Sequence, residues 1–290
     1  MSRLPLLALS ACLALSFLTT PLLAKPGDKT QVASSVYRFG GRGSNATGWV
    51  VKRLNPTNAE SPEYWLVTAK HVLAAIKGEK ATLTLRKFDA EKDLWERAPL
   101  ELTIREGEKK LWTEADELDI AVMRLPADIN PATDSIPYEW LSPASDWDAL
   151  PIEAGQMVRC IGFPHASQFN PSKAGFPMVR LGCIASVTRE KDPMFRVDFN
   201  TFEGDSGGLV YMETDAGDVK VIGLTRAQHF LDERYKMVYG EGMVRQRLGI
   251  SICVPSEDIR KLIESFDHVQ APTEQEAKVE ETVKAAALEK

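Results

Sequence analysis

Ala81-Thr82-Leu83-Thr84-Leu85-Arg86 sets a small or apolar residue against a polar one at every step. Side chains alternate between the two faces of a strand, so this run reads as a half-buried β-strand with one wet side. Working outward, β-rich runs of similar length recur between turn residues at 47–53, 63–69, 81–87, 99–104 and 119–125. A second set follows at 157–162, 181–189, 195–199, 208–213, 219–225 and 250–254. Short strands at such spacing point to an all-β sandwich or barrel. No comparable set of amphipathic helices separates them, which disfavours a parallel α/β sheet.

The two strand groups are divided by a proline-rich stretch holding Pro126, Pro131, Pro137, Pro143 and Pro151. Proline cannot donate to a ladder and stiffens a connection, so the stretch reads as a crossover between two β units. After the last strand, Pro255-Ser256 opens a helical pattern. Ser256 can cap it, Asp258 suits the positive first turn, and Ile259, Leu262, Ile263 and Phe266 share one face. From about Gln270 the chain turns to Glu, Lys and Ala, and is read as a solvated helix or a disordered tail.

With 44% hydrophobic and 26% charged residues in 290, the composition is that of a folded protein. A net charge of -6 and a pI near 5.4 argue against attraction to nucleic acid or anionic lipid. Arg3, an apolar run over 4–18 and Leu22-Leu23-Ala24 before Lys25-Pro26-Gly27-Asp28 form an export-signal pattern, with cleavage expected after Ala24. The mature protein is then expected in the periplasm or secreted, with no stable membrane span. An uncleaved anchor and a lipidated Cys12, in Leu9-Ser10-Ala11-Cys12, are the alternatives. The apolar run is short for a span of ~20 residues.

Cleavage at Ala24 leaves Cys160, Cys183 and Cys253, so at least one thiol is unpaired in a monomer. Cys160 and Cys183 flank a predicted hairpin; a bridge between neighbouring strands and buried, reduced thiols both remain open. No two of His71, His165, His229 and His268 have the spacing of a metal site, and no cofactor is expected.

Three segments carry chemistry together. Trp65-Leu66-Val67-Thr68-Ala69-Lys70-His71-Val72 is an apolar strand ending in a histidine. Leu118-Asp119-Ile120-Ala121-Val122 puts one acid before a buried strand, and Gly204-Asp205-Ser206-Gly207-Gly208 holds a serine in a glycine-rich turn. Taken singly, the histidine reads as structural and the aspartate as a turn residue. Together they supply what acyl transfer needs. A hydroxyl is a poor nucleophile until an imidazole takes its proton. A buried carboxylate holds that imidazole in one tautomer. Backbone N–H groups, here those of Gly204 and Ser206, receive the developing oxyanion.

Thr68-Ala69-Lys70-His71, Asp119-Ile120-Ala121 and Gly204-Asp205-Ser206-Gly207-Gly208, in that order, resemble the trypsin/chymotrypsin-like serine peptidases over roughly 32–266. The resemblance implies two antiparallel six-stranded β-barrels with the cleft between them. It makes His71, Asp119 and Ser206 the catalytic triad, Gly204 and Ser206 the oxyanion donors, and a polypeptide the substrate. The division expected is 1–24 signal, 25–140 first barrel, 141–268 second barrel with the helix, and 269–290 tail.

Val72 and Phe202 stand where digestive-type members carry cysteines. Asn45-Ala46-Thr47-Gly48-Trp49-Val50-Val51 and Gly249-Ile250-Ser251-Ile252-Cys253-Val254-Pro255-Ser256 are similar to HtrA-like (Deg) bacterial protease domains, without the PDZ domain that usually follows. In zymogen-activated members the acid matching Asp205 pairs with a newly cut N-terminus. No Ile-Val-Gly-Gly-like start occurs here, so Asp205 is expected to pair with an internal Arg or Lys or with backbone donors. By the same analogy the substrate pocket lies near Asn200, Thr201, Thr225 and Arg226. Asn200 is not a carboxylate that would select Arg or Lys, and Arg226 either favours acidic side chains or faces solvent.

Two other classes compete. A catalytically silent binding or chaperone-like module would usually lack a triad residue, and none is missing. An α/β-hydrolase esterase would place its serine in Gly-x-Ser-x-Gly with the acid and histidine after it. Gly204 to Gly208 meets that motif, but the His, Asp, Ser order and the absence of βα alternation count against it. Asn45-Ala46-Thr47 also matches a glycosylation triplet, to which no function is attached.

Overall fold

The computed structural model describes residues 28–55, 58–126, 134–150, 152–165, 175–187 and 192–270. The expected signal (1–24) and all but the first residues of the expected tail lie outside the described residues. The chain enters through a short helix α1 (Asp28–Ser34) and strands β1 (Val36–Gly41), β2 (Ser44–Asn55) and β3 (Asn58–Ala69). A one-and-a-half-turn helix, α2 (Lys70–Ala75), precedes β4 (Lys80–Asp89) and β5 (Leu94–Thr103). A small ribbon of β6 (Arg105–Glu106) and β7 (Lys109–Lys110) leads to β8 (Thr113–Ala115), β9 (Ile120–Arg124) and β10 (Ile136–Pro137).

These strands form one eight-stranded sheet in the order β5-β4-β1-β2-β3-β9-β8, with β10 joining the edge of β2. That edge is shared: β1 pairs with 44–49 of β2, and β10 pairs in parallel beyond it, with Ile136 opposite Val51. In β4, Ala81 and Leu83 are buried and Thr82 is exposed, as alternation requires. Arg86 departs from it by going inside. Its guanidinium lies 4.8 Å from the Tyr37 ring and donates to the carbonyls of Ser34, Val36 (2.9 Å) and Gly175 (3.2 Å). A buried cation with its donors satisfied is tolerable where an unpaired one is not.

A 3-10 turn at Tyr138–Trp140 and helix α3 (Asp146–Ala149) make the crossover. The second group holds β11 (Met157–Gly162), β12 (Met178–Val187), β13 (Phe195–Asp198), β14 (Leu209–Glu213), β15 (Val219–Met237) and β16 (Gly240–Pro255). It closes into a six-stranded barrel, β11-β12-β13-β16-β15-β14. The fold is therefore all-β with two strand groups in the chymotrypsin-like arrangement, and the first group adds β8 and β10 to its main strands.

The runs expected at 219–225 and 250–254 prove to be only the inner ends of two long strands. β15 and β16 pair from Gly223 opposite Pro255 out to Met237 opposite Gly240. The outer part leaves the core: Val219, Val221, Ile222 and Leu224 are buried, whereas Phe230, Leu231, Tyr235 and Met243 are exposed. Ion pairing of Arg245 with Asp232 at 2.8 Å and stacking of Arg245 on Phe230 at 5.0 Å dress this ribbon.

One apolar cluster runs across both groups, joining Phe39, Trp49 and Leu66 to Ile161, Leu209 and Val254; a second fills the closed barrel around Cys160, Val197 and Ile222. Helix α4 (Ser256–Gln270) seals the shared core, with Ile259 and Ile263 buried and Phe266 edge-on to Trp65 at 4.6 Å. Each such side chain contributes roughly 1.5–3 kcal/mol by leaving water. The Ser256 hydroxyl, expected to cap this helix, donates to the carbonyl of Ser142 at 2.8 Å and ties the helix to the crossover. Among the described residues no helix is long and apolar enough to cross a membrane.

Candidate active site

His71 is not the last residue of a strand, as the apolar run suggested, but the second residue of α2. β3 ends at Ala69, still extended at φ -74 and ψ 142, and the Lys70 N–H then donates to the Asp119 carbonyl at 3.0 Å. Asp119 itself sits at φ 62, a left-handed conformation that aspartate tolerates better than most residues. That turn aims its carboxylate back at the helix. Oδ1 accepts from the His71 backbone N–H at 2.9 Å, and Oδ2 lies 2.7 Å from Nδ1 of the imidazole. A third donor, Nε of Arg226, reaches Oδ2 at 3.3 Å. Burial pushes the Asp119 carboxyl up, but the His71 contacts and the Arg226 charge outweigh it and hold the group below the usual carboxylate range. His71 keeps its ring 48% exposed, so its far edge is open to a reactant.

The serine turn is held far more tightly. Gly204 has φ 96 and Gly207 φ 83, and a Cβ on either would meet a carbonyl oxygen, of Phe163 at 2.2 Å or of Thr47 at 2.3 Å. Only glycine fits both the conformation and the space. Buried Thr47 of β2 welds the turn to the first sheet. Its N–H donates to the Ser206 carbonyl at 3.0 Å, and its hydroxyl donates to the Gly204 carbonyl at 2.7 Å while accepting from the Phe163 N–H at 3.0 Å. Trp49 Nε1 donates to the Gly207 carbonyl at 3.1 Å. The Glu203 carbonyl accepts from the His165 N–H at 2.6 Å. A trans peptide sends its N–H opposite its carbonyl, so the Gly204 N–H faces away from His165. Among the described residues the N–H groups of Gly204 and Ser206 have no hydrogen-bond acceptor.

Beneath the turn, Asp205 is fully buried and meets the Arg180 guanidinium in a two-point fork, at 2.6 and 2.7 Å, while also accepting from the Phe202 N–H at 2.8 Å. Burial pushes this carboxyl up against the pull of Arg180. The internal cation expected for Asp205 is thus Arg180. It comes from β12, opposite Cys160 of β11, a proximity that barrel register creates and sequence spacing does not reveal.

His71, Gly204 and Ser206 line one open cleft of about 360 Å³, together with Ser44, Asn45 and Glu203. A second pocket of about 240 Å³ shares Ser206 and Glu203 with that cleft. Thr201, Thr225 and Arg226 line it as expected. Asn200 does not: it is exposed, and its amide oxygen accepts from Gln228 at 2.9 Å. Arg226 neither points down the pocket nor into solvent. It bonds Asp119, and Nη1 rests on the Met194 sulfur at 3.0 Å. Sequence reasoning missed two further walls, Phe230 and Arg247, which the long β15–β16 ribbon brings in, as well as the anchoring role of Thr47. Thr47 carried a signal, since it stands in the segment whose resemblance to HtrA-like domains is quoted above.

Among the described residues no group of three or more His, Cys, Asp or Glu side chains could hold a metal ion. Cys160, Cys183 and Cys253 are all free thiols; burial pushes Cys160 up to about 11.

The description of the trypsin-like peptidase domain matches residues 46–224. None of the curated proteins compared with the chain matches it. Among solved structures, the serine endoprotease from Yersinia pestis is 17% identical with a TM-score of 0.47, the alignment covering 83% of this chain and 67% of that one. Human heparin binding protein is 11% identical with a TM-score of 0.48, over 81% of this chain and 92% of that one.

Proposed function

Since the chain belongs to the trypsin-like peptidase family, which matches more than half of it, we propose that it is a serine endopeptidase whose nucleophile is Ser206. On this reading His71 takes the Ser206 proton as the hydroxyl oxygen attacks the scissile carbonyl. Asp119 holds the imidazole by its Nδ1 edge and balances the charge it acquires. The carbonyl oxygen, now negative, settles against the N–H groups of Gly204 and Ser206, whose donors are unspent. His71 then returns the proton to the leaving amine, which departs and leaves an acyl-enzyme. Water, deprotonated by the same imidazole, attacks the ester and frees Ser206.

The observation that carries the reading is the 2.7 Å contact of His71 Nδ1 with Asp119 beside a cleft that Ser206 shares. Labelling with a fluorophosphonate probe tests it. Adduct formation on Ser206, lost in Ser206→Ala and His71→Ala, is expected. Failure of the intact protein to label would leave a silent binding module.

The reading extends to maturation. The 1–24 segment directs export to the periplasm or beyond, and Lys25 becomes the first residue. No further cut is needed, because Arg180 already occupies the site facing Asp205. Mass spectrometry of fully active protein should find Lys25 at the N-terminus; a new internal terminus would refute this.

A further inference from the structure

The pocket beside Ser206 differs from the cleft that holds His71 in its polar inventory. Its walls include Thr201, Phe202, Ala227 and Gln228, and the base of the long ribbon adds Phe230 and Arg247. We propose that this pocket receives an acidic side chain of the substrate, on the acyl side of the scissile bond, and that Arg247 is the residue that selects it. The proposal rests on the peptidase reading above and adds the substrate class.

Of the two arginines in the pocket, Arg226 is committed elsewhere, to Asp119 and the Met194 sulfur. Arg247 is held but not neutralised. One nitrogen, Nη1, donates to the Thr201 carbonyl at 2.8 Å, and the guanidinium lies over the Phe202 ring at 4.8 Å and near that of Phe230 at 5.8 Å. Among the described residues no carboxylate comes within 4.0 Å of it. Arginine carries five N–H donors in a rigid fork matched to a carboxylate. A carbonyl and two aromatic faces therefore fix the fork while leaving most of its donors free, so the ordering that would oppose binding is already done.

The other lining groups agree. Gln228 and Thr201 add neutral polar edges. Glu203 is the one acid among the lining residues, and it is exposed and shared with the cleft. A lysine or arginine side chain entering here meets the unpaired cation of Arg247 and no buried carboxylate. Arg247 is exposed in the free protein, so an apolar side chain lying over it takes water from the guanidinium and gives it no partner in return. An aspartate or glutamate meets neither penalty.

The experiment uses four peptide substrates alike except for Glu, Gln, Leu or Lys immediately before the cleaved bond, with kcat/KM as the readout. Glu is expected to exceed Leu and Lys by about 10²-fold, the size of one hydrogen-bonded pair between charged groups. Arg247→Met should collapse the ratio of Glu to Leu to within about threefold of one another. Arg247→Lys, which keeps the charge but not the fork, should retain part of it, and Arg247→Glu should turn the preference toward Lys. Circular dichroism of each variant checks that it folds. If Ser206 labels with the fluorophosphonate but Glu is no better than Leu, or Arg247→Met leaves the ratio intact, the selectivity assignment falls and the peptidase reading stands. If Ser206 does not label, both fall.

Discussion

The two sides of the cleft are built on different principles. On one side the serine turn is locked into buried structure by backbone and hydroxyl bonds from Thr47, an indole bond from Trp49, and the Arg180–Asp205 fork beneath it. On the other, His71 stands nearly half exposed on a six-residue helix, with a single carboxylate behind it. On the proposed reading, the group that would receive negative charge at a fixed point is the one held by many bonds, and the group that would move a proton twice is left room, with only its inner edge held. Electrostatic preorganisation needs donors that do not relax, whereas proton transfer needs a ring able to turn between two partners.

That contrast can be broken at either side. The largest effect is expected at the chemistry itself: Ser206→Ala or His71→Ala should lower kcat by about 10⁵–10⁶-fold with the thermal midpoint nearly unchanged. A midpoint drop matching the activity loss would mean these residues are structural. Next comes the fork. Arg180→Met leaves Asp205 buried without its cation and should cost about 3–5 kcal/mol in urea unfolding, and the double variant Arg180→Met/Asp205→Asn should recover part of it. Equal stability of the single and double variants would show that the pair is not what holds the turn.

A smaller loss is expected at the weld. Thr47→Val keeps the shape but removes the bonds to the Gly204 carbonyl and the Phe163 N–H, a net cost of about 0.5–1.5 kcal/mol for each bond lost. It should lower kcat more than it raises KM, since it loosens the oxyanion donors and not the pocket. The smallest effect lies on the histidine side and depends on pH. The Asp119 carboxyl is held lower in the folded protein than in the unfolded chain. It therefore contributes stability above about pH 3.9, lost as pH falls through its lower folded value. Asp119→Asn should flatten the acid limb of a stability profile, read as urea midpoints between about pH 5 and 2.

Much of this was legible in the residues. Alternation in 81–86 gave the strand, the glycines around Ser206 gave the turn, and the proline-rich stretch between two strand groups gave the two-unit plan. What escaped did so for identifiable reasons. Helix α2 continues the apolar run of β3 without a break, so periodicity cannot separate them, and its start is set by the Lys70 N–H bond to Asp119 from far along the chain. The outer ribbon was invisible because Asp232-Glu233-Arg234 and Arg245-Gln246-Arg247 carry no apolar period; pairing across the two strands supports it instead. That Asp205 needs a partner followed from the resemblance to zymogen-activated peptidases, which left an internal Arg or Lys or backbone donors open. Which cation answers could not be read, because Arg180 arrives by barrel register. Arg226 was read as a pocket wall and Arg247 not at all, since the direction a guanidinium takes is decided by the acid or carbonyl nearest to it after folding.

The origin of that cation bears on timing. A peptidase that must wait for a new terminus can be stored folded and dormant, with a second protease as its trigger. Here the partner of Asp205 is delivered by the closing of the second barrel, so competence on this reading begins when the chain finishes folding. Restraint must then come from outside, through an inhibitor, a scarce substrate, or a cell that keeps the polypeptide unfolded until it reaches the place where cutting is safe.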